Sequence, residues 1–353
     1  MRVLSLYRPA LPGQRAQAIG VVHAAHALAR RGHTVSLYAD RAGPGDPASA
    51  LADLGLDPVP TLDLRLAPVQ QPGFAGTWFR AQVLGWSLGP PGVVIARDKR
   101  RLQAALPLLG RHRVYLEQHE LDSALAEERG EDPSPILALE RELLAVAQGL
   151  IANCEGTLQL WEGAHGDRLP ARRLAVHNAT TPARLRAAHL APAPVIRVLG
   201  SLREYKGVAE ILAAAPGLPL PLRWTGGTDD ERAALSAPPN AWLDPPVPYP
   251  AVPDLLADSR LLLLPLTDNL FGRELTSPLK LWDYLATAVP ILAPDLPSVR
   301  RVAALTGAPM HLWRPGDAAD LVRAATEALR APARAPVLRT WDERAAAVEA
   351  LIS

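Results

Sequence analysis

Cysteine occurs once in the 353 residues, at Cys154. One thiol excludes an internal disulfide and a cysteine-rich metal site, and it fits a reducing compartment. There are 3 Phe and 2 Met, and aromatics make up 5%, so Ala and Leu must fill most of the core. Charge of one sign is lacking as well. Lys and Arg total 37 against 36 for Asp and Glu, a net +1 that gives no bulk argument for a nucleic-acid partner. Long apolar runs are missing: the longest, near 261–266, is far short of the roughly 20 residues a membrane helix needs. The opening MRVLSLYRPALPG reads as a first strand, without the apolar region and small-residue cleavage site of a secretion signal. A cytoplasmic location is expected.

Familiar chemical signatures are absent too. No G-x-G-x-x-G follows the first strand, which argues against a nicotinamide site, and no G-x-x-x-x-G-K-[ST] marks a P-loop. No H-E-x-x-H occurs, the nine His show no zinc spacing, and there is no G-x-S-x-G elbow for a hydrolase serine. No metal site is expected.

What is present is a globular composition, 48% hydrophobic and 21% charged, with 36 prolines punctuating short elements. Strand-like runs (3–7, 34–38, 93–96, 114–118, 150–152, 174–177) alternate with helical ones. Gly32 closes the first helix, 16–31, and Ser134-Pro135 opens another as cap and first residue. The stretch 180–194 is rich in Ala, Pro and Arg and reads as a linker. A second series follows, with strands at 195–199, 222–225, 241–243, 261–265, 289–292 and 311–313. Helices are expected at 208–215, 229–235, 252–257, 277–288, 317–329 and 341–351. Two α/β series imply two doubly wound parallel sheets, whose ligands lie outside the carboxyl ends of the strands. The fold class is α/β, with two Rossmann-like domains facing a central cleft.

Three stretches carry chemistry. Gly200-Ser201-Leu202-Arg203-Glu204-Tyr205-Lys206-Gly207 joins a strand to a helix and offers backbone N–H groups with cationic side chains, which suits a phosphate. A solvated turn is the plain alternative. Gly226-Gly227 makes a second such junction, or simply a tight turn that glycine permits. In 269–286, Ser277 reads as a helix cap, Pro278 as the first helical residue and Leu279 as part of an N-terminus able to bind an anion. Asp283, further along, suits a ribose diol, a solvated face, or a pairing with Lys280 at the i,i+3 spacing.

These residues resemble the second domain of GT-B glycosyltransferases of the family 4 type. The matching pieces are Gly200–Gly207, Gly226-Gly227, the apolar strand at 261–265, the Glu274 loop, Asp283 and the Pro290-Ile291 run. Ser277-Pro278-Leu279-Lys280-Leu281-Trp282-Asp283-Tyr284 is similar to the subgroup pattern S-P-L-K-L-[FW]-E-Y, and the helix from Trp341 resembles the terminal W-x-x-R-A helix. In the first half, Arg31-Gly32-His33-Thr34-Val35, Arg97-Asp98, Tyr115-Leu116-Glu117-Gln118-His119-Glu120-Leu121 and His177-Asn178-Ala179 follow the family order. Three departures stand out. Ser201 replaces a usual Arg, Glu274 is one residue out of register with Asp283, and the first loop carries one Gly, Gly13, in place of a pair.

The resemblance implies a retaining, metal-independent transfer from a nucleotide-diphosphate sugar, a UDP- or GDP-sugar, with no permanently bound cofactor. It implies catalytic roles for His119, Arg203, Lys206 and Glu274. Lys206 and Arg203 would neutralise the diphosphate and His119 would contact the donor sugar or the acceptor. Gly200, Ser201, Gly226, Gly227, Ser277, Pro278, Leu279 and Asp283 would hold the donor. The acceptor is unknown: a glycan, a lipid or a small molecule. The implied division is an acceptor domain at 1–182, a donor domain at 183–336, and a terminal helix at 337–353 crossing back. A basic cluster, Arg97, Lys99, Arg100, Arg101, Arg111, His112 and Arg113, is either a solvated helix face or a peripheral membrane contact. Two other classes stay open: a sugar-nucleotide epimerase of the same fold, and a degenerate nucleotide-sugar-binding subunit.

Overall fold

The computed structural model describes residues 1–13, 15–69, 72–189 and 191–353. The chain divides into two compact units, Met1–Asn178 with Trp341–Ser353, and Ala179–Thr340.

In the first unit, eight strands form one parallel sheet, running in the order Ala10–Leu11, Thr34–Arg41, Arg2–Leu6, Val93–Ala96, Arg113–Gln118, Ala147–Ala152 and Arg172–Ala175, with Leu62–Leu66 paired to Thr34–Arg41. The inner strands are apolar on both faces, as a sheet covered by helices on each side requires: all four residues of Val93–Ala96 are buried. Arg2–Leu6 has Thr34–Arg41 on one side and Val93–Ala96 on the other, so the strand order reverses there. The helix Trp341–Ile352 belongs to this unit: Trp341 stacks on His23 and Arg344 reaches Glu117.

The second unit holds a six-stranded parallel sheet in the order Ala241–Asp244, Leu222–Thr225, Ala193–Leu199, Ser259–Leu263, Ile291–Pro294, His311–Trp313. Its strands alternate between two cores. Leu261 and Leu263 pack with Ile196, Val198 and Trp224 on one face. Leu262 and Leu264 pack with Tyr284, Ile291 and Val299 on the other, as the two-residue period of a strand dictates. The order reverses between Ala193–Leu199 and Ser259–Leu263. The buried Tyr284 hydroxyl ties that junction together, accepting from the Leu199 N–H at 3.1 Å and donating to the Leu263 carbonyl at 3.2 Å.

Several expected elements need correction. The helix placed at 277–288 runs only over Leu279–Leu285. Pro278 is its N-cap, with an extended ψ of 120°, and no side chain caps it. The Ser277 hydroxyl accepts instead from the Trp282 indole at 3.0 Å. Past its end, Arg334 supplies donors to the carbonyls left open there, those of Tyr284 and Leu285, and to that of Val289. Ser134 is likewise not a cap: the helix Ser134–Val146 has Pro133 there, and the Ser134 N–H goes to Asp132. The stretch 180–194 is not a free linker. Thr180 and Arg184 are buried in the second unit, and Arg186 bridges to Thr287; Leu190 lies outside the described residues. No helix among the described residues is long and apolar enough to cross a membrane.

Candidate functional site

The strand Ala193–Leu199 ends at the reversal point of the second sheet and turns at Gly200. Gly200 (φ +119°) and Gly226 (φ +136°) sit back to back: a Cβ on Gly226 would lie 2.5 Å from the Gly200 carbonyl oxygen, an approach only glycine allows. Trp224 fixes that carbonyl from the side, donating its indole N–H at 3.0 Å. Gly227, also at positive φ (+72°), packs against Leu202. The two glycine turns therefore form one bare backbone surface at the carboxyl edge of the sheet.

Two lysines converge on it. Lys206 sits in the short turn Glu204–Lys206, ahead of Gly207, which packs beside Leu266 and Thr267. Its ammonium stands 5.6 Å from the Phe271 ring centre. Burial pulls it down to about 8. Lys280 comes from the helix Leu279–Leu285. Its ammonium donates to the Leu199 carbonyl at 2.5 Å and lies where a Gly200 Cβ would be, 2.5 Å away. Burial first, and then the charge of Lys206, push Lys280 well below its ordinary range. Two poorly hydrated ammonium groups, one of them further depressed by the other's charge, beside exposed backbone call for a dianion.

Other candidate residues are placed elsewhere. Arg203 turns outward to Glu231, with its side chain 55% exposed. The second cation of the cluster is thus Lys280, which the sequence offered only as a pairing partner for Asp283. Ser201 is half-buried in the turn. Glu274 pairs with Arg301. Asp283 is on no solvated face and does not pair with Lys280. It is buried, and the Arg184 guanidinium grips it from two sides, Nε to Oδ1 at 2.7 Å and Nη2 to Oδ2 at 3.1 Å, while Thr180 donates to Oδ1 at 2.8 Å. Arg184 also lies 4.0 Å from the Tyr249 ring centre. Nothing in the local sequence signals Arg184, which is 99 residues away from Asp283.

The first unit has its own site at its reversal point, a cavity of about 440 Å³ lined by residues that follow three strands, among them Tyr7, Arg97 and His119. His119 Nε2 lies 3.1 Å from Glu117 Oε1, and Arg344 Nη2 reaches the same oxygen at 2.6 Å. Burial, then Arg97, brings His119 down to about 4 against the pull of Glu117, so it is neutral at pH 7. A carboxylate only accepts, so Nε2 carries the proton and Nδ1 is left as an acceptor. Burial alone would raise Glu117, but Arg344, His119 and Arg97 outweigh it and hold the carboxyl well below the usual range.

The basic cluster does not form one patch. Lys99 is buried against Asp122 and Glu140, Arg101 pairs with Asp98, Arg111 and His112 reach the Ser87 carbonyl, and Arg113 reaches that of Ser353.

No family model matches the chain, and no curated protein matches its sequence. Solved structures do. Sucrose-phosphate synthase from Thermosynechococcus elongatus superposes with a TM-score of 0.72 at 15% identity, covering 100% of this chain and 94% of that one. Anabaena HepE in complex with UDP-glucose gives 0.67 at 14%, covering 100% and 95%. WaaG, a glycosyltransferase involved in lipopolysaccharide biosynthesis, gives 0.63 at 14%, covering 99% and 94%. At these identities the likeness shows the fold, the two Rossmann-like units of GT-B proteins.

Proposed function

We propose that this chain is a glycosyltransferase that moves a sugar from a nucleotide-diphosphate donor, a UDP- or GDP-sugar, to an acceptor hydroxyl. The reaction we propose retains the anomeric configuration, needs no catalytic metal and takes place in the cytoplasm. One observation carries the reading: Lys206 and Lys280 meet at bare glycine backbone, at the reversal point of the second sheet. The fold supports it, since solved proteins of this architecture include glycosyltransferases and one was solved with UDP-glucose.

In this reading the diphosphate lies against the Gly200 and Gly226-Gly227 turns, where no Cβ keeps it away. As the glycosidic bond breaks, the leaving diphosphate gains negative charge. Two cations held in a poorly hydrated place favour that charge more in the transition state than in the bound donor, and they stand in for a metal. His119, neutral, presents Nδ1 as an acceptor to a sugar hydroxyl. Asp283 enters as a support. Its carboxylate is engaged by Arg184 and Thr180, so we assign it to holding the wall of the site, and a direct ribose contact would require it to leave Arg184.

The test is calorimetric binding of UDP, GDP, ADP and their sugar conjugates without added metal. One nucleotide should bind selectively, and Lys206→Ala should weaken it by roughly tenfold or more while keeping its circular dichroism, as the loss of a charge-assisted contact requires. Absence of binding by all of them would overturn the reading, and binding of a sugar conjugate with no turnover would favour a degenerate subunit. Binding with turnover of the donor alone, and no acceptor glycosylated, would point to an epimerase.

A further inference from the structure

The terminal helix Trp341–Ile352 carries one buried charge, and that charge serves a single carboxylate. Other contacts tie the helix to the first unit: Trp341 stacks on His23, Glu349 meets His33 at 3.0 Å, and the Leu351 carbonyl accepts from Arg172 at 2.9 Å. Arg344 is 3% exposed and its Nε has no hydrogen-bond partner among the described residues. Its ion pair is with Glu117, 227 residues earlier. Burying a guanidinium is costly, so a side chain that only packed the helix would be better apolar. Glu117 Oε1 takes Arg344 Nη2 at 2.6 Å and His119 Nε2 at 3.1 Å, two donors on one oxygen. An arginine neither accepts nor gives up its proton, so beside it the shared oxygen is held as an acceptor.

We propose that Arg344 is a positioning residue: through Glu117 it holds the His119 ring with its proton on Nε2, which keeps Nδ1 free to accept from a hydroxyl of the donor sugar. Without that cation, a proton taken up by the Glu117–His119 pair can reach Nδ1 in two ways. The ring takes it there directly and becomes a cation. Or Glu117 takes it on the shared oxygen and turns donor toward Nε2, which moves the ring's own proton to Nδ1. Either way Nδ1 turns from acceptor to donor, and a hydroxyl bound to it must reverse its bond or lose it. Arg344 opposes that proton at both members. Burial alone would raise Glu117, and Arg344 leads the effects that overcome it. Burial, then Arg97, brings His119 down to about 4, and Arg344 acts in the same direction. The charges that bear on the ring most are Glu117 on its own strand, Arg97 after the strand Val93–Ala96, and Arg344. Among the other charged or titratable residues lining the cavity, Lys99 pairs with Asp122, Asp98 with Arg101 and Arg129 with Glu131, which leaves Tyr7, Arg100 and Glu120. The contact with a donor sugar rests on the transferase reading; the state of the ring does not.

The test uses the full chain labelled at the histidine nitrogens, with His119→Phe to assign the signal by NMR. In the wild type the ring should stay neutral, with its proton on Nε2, down to about pH 5. In Arg344→Gln, which fills the place without the charge, proton uptake by the pair should move up by roughly one to three pH units, the effect of losing an opposite charge at contact distance. Arg344→Met should match it, so the test survives if one of the two fails to keep the wild-type circular dichroism. Arg344→Lys keeps a cation and should move the uptake back toward the wild-type value. Calorimetry reads the consequence as the ratio of affinities for UDP-glucose over UDP and for GDP-mannose over GDP, a ratio in which the titration of Lys206 cancels. For the pair that binds, the wild-type ratio should stay level from pH 8 to 5.5. In Arg344→Gln it should fall by roughly threefold or more across the shifted midpoint, as the loss of one hydrogen bond requires. A ring titration that neither variant shifts overturns the proposal and leaves Arg344 as an anchor. A shifted titration with a level ratio overturns it too, because the ring then makes no sugar contact. Absence of nucleotide binding at every pH would sink the transferase reading and the sugar contact with it, while a shifted titration would still put the ring under the control of Arg344.

Discussion

Lys280 donates its ammonium to the carbonyl oxygen of Leu199 at 2.5 Å, which plants a cation from one helix at the end of a strand 81 residues earlier. Lys206 adds a second cation whose charge depresses the first. Binding at this pair should depend on pH in a definite direction. Burial brings Lys206 from 10.5 to about 8, so the free protein loses that charge as pH rises through about 8. A bound diphosphate favours the charged form and returns the proton. Nucleoside diphosphate should therefore bind more weakly above pH 8 than at pH 7, with protons taken up on binding. Calorimetry in buffers of different ionisation enthalpy reads that uptake directly, and an affinity flat from pH 7 to 9.5 would count against the cluster.

The back-to-back glycines give a second test. Gly226→Ala combines a left-handed backbone with a Cβ 2.5 Å from the Gly200 carbonyl oxygen, whereas Gly307, at φ +65°, has nothing within 4 Å of its Cβ position. Gly307→Ala should cost about 1–2 kcal/mol from backbone strain alone. Gly226→Ala should cost more, because backbone has to move, and it should also weaken nucleotide binding. Equal costs in urea unfolding would mean the glycine contact is not tight.

The sheets were legible where strands are buried on both faces and read as unbroken apolar runs, as in Val93–Ala96. Leu62–Leu66, LDLRL, was not: it pairs only with Thr34–Arg41, and its alternating charges show no such run. The helix Pro72–Ser87 carries Gly73, Gly76 and Gly85 and so has weak local propensity; tertiary packing makes it a helix. At the candidate site, Lys206 and the glycine turns stood out because strand, glycine and cation are adjacent in sequence. Arg184 did not. It matters through a pairing made over long separation, which leaves no local pattern. Arg203 was drawn in by adjacency, yet Glu231, which also accepts from the Leu202 and Thr228 N–H groups, holds it outward.

Asp283 separates support from ligand contact. Its pair with Arg184 is buried on both sides, with side chains 6% and 5% exposed. Removing one partner strands the other charge, at about 3–5 kcal/mol. Asp283→Asn should thus lower the unfolding free energy strongly, and Arg184→Met should do the same. A variant as stable as wild type that has lost nucleotide binding would restore the ribose role instead.

The Glu117–His119 pair predicts the acid side of the stability profile. Unfolded His119 would titrate near 6.5 and folded His119 at about 4, so between those values the unfolded chain binds more protons and stability falls as pH falls. Glu117 continues the loss: its folded carboxyl stays ionised well below its ordinary 4.5, so its contribution is present above that value and disappears below it. Stability should therefore decline from about pH 6.5 downward. His119→Phe should flatten the part between about 6.5 and 4 and leave the lower part, whereas Arg344→Met should weaken the lower part by removing the cation that holds Glu117 ionised. Urea midpoints at half-unit pH intervals give the curves. In the wild type at pH 7, nitrogen NMR should show a neutral His119 with the proton on Nε2; a charged ring there would break the assignment of Nδ1 as an acceptor toward a sugar hydroxyl.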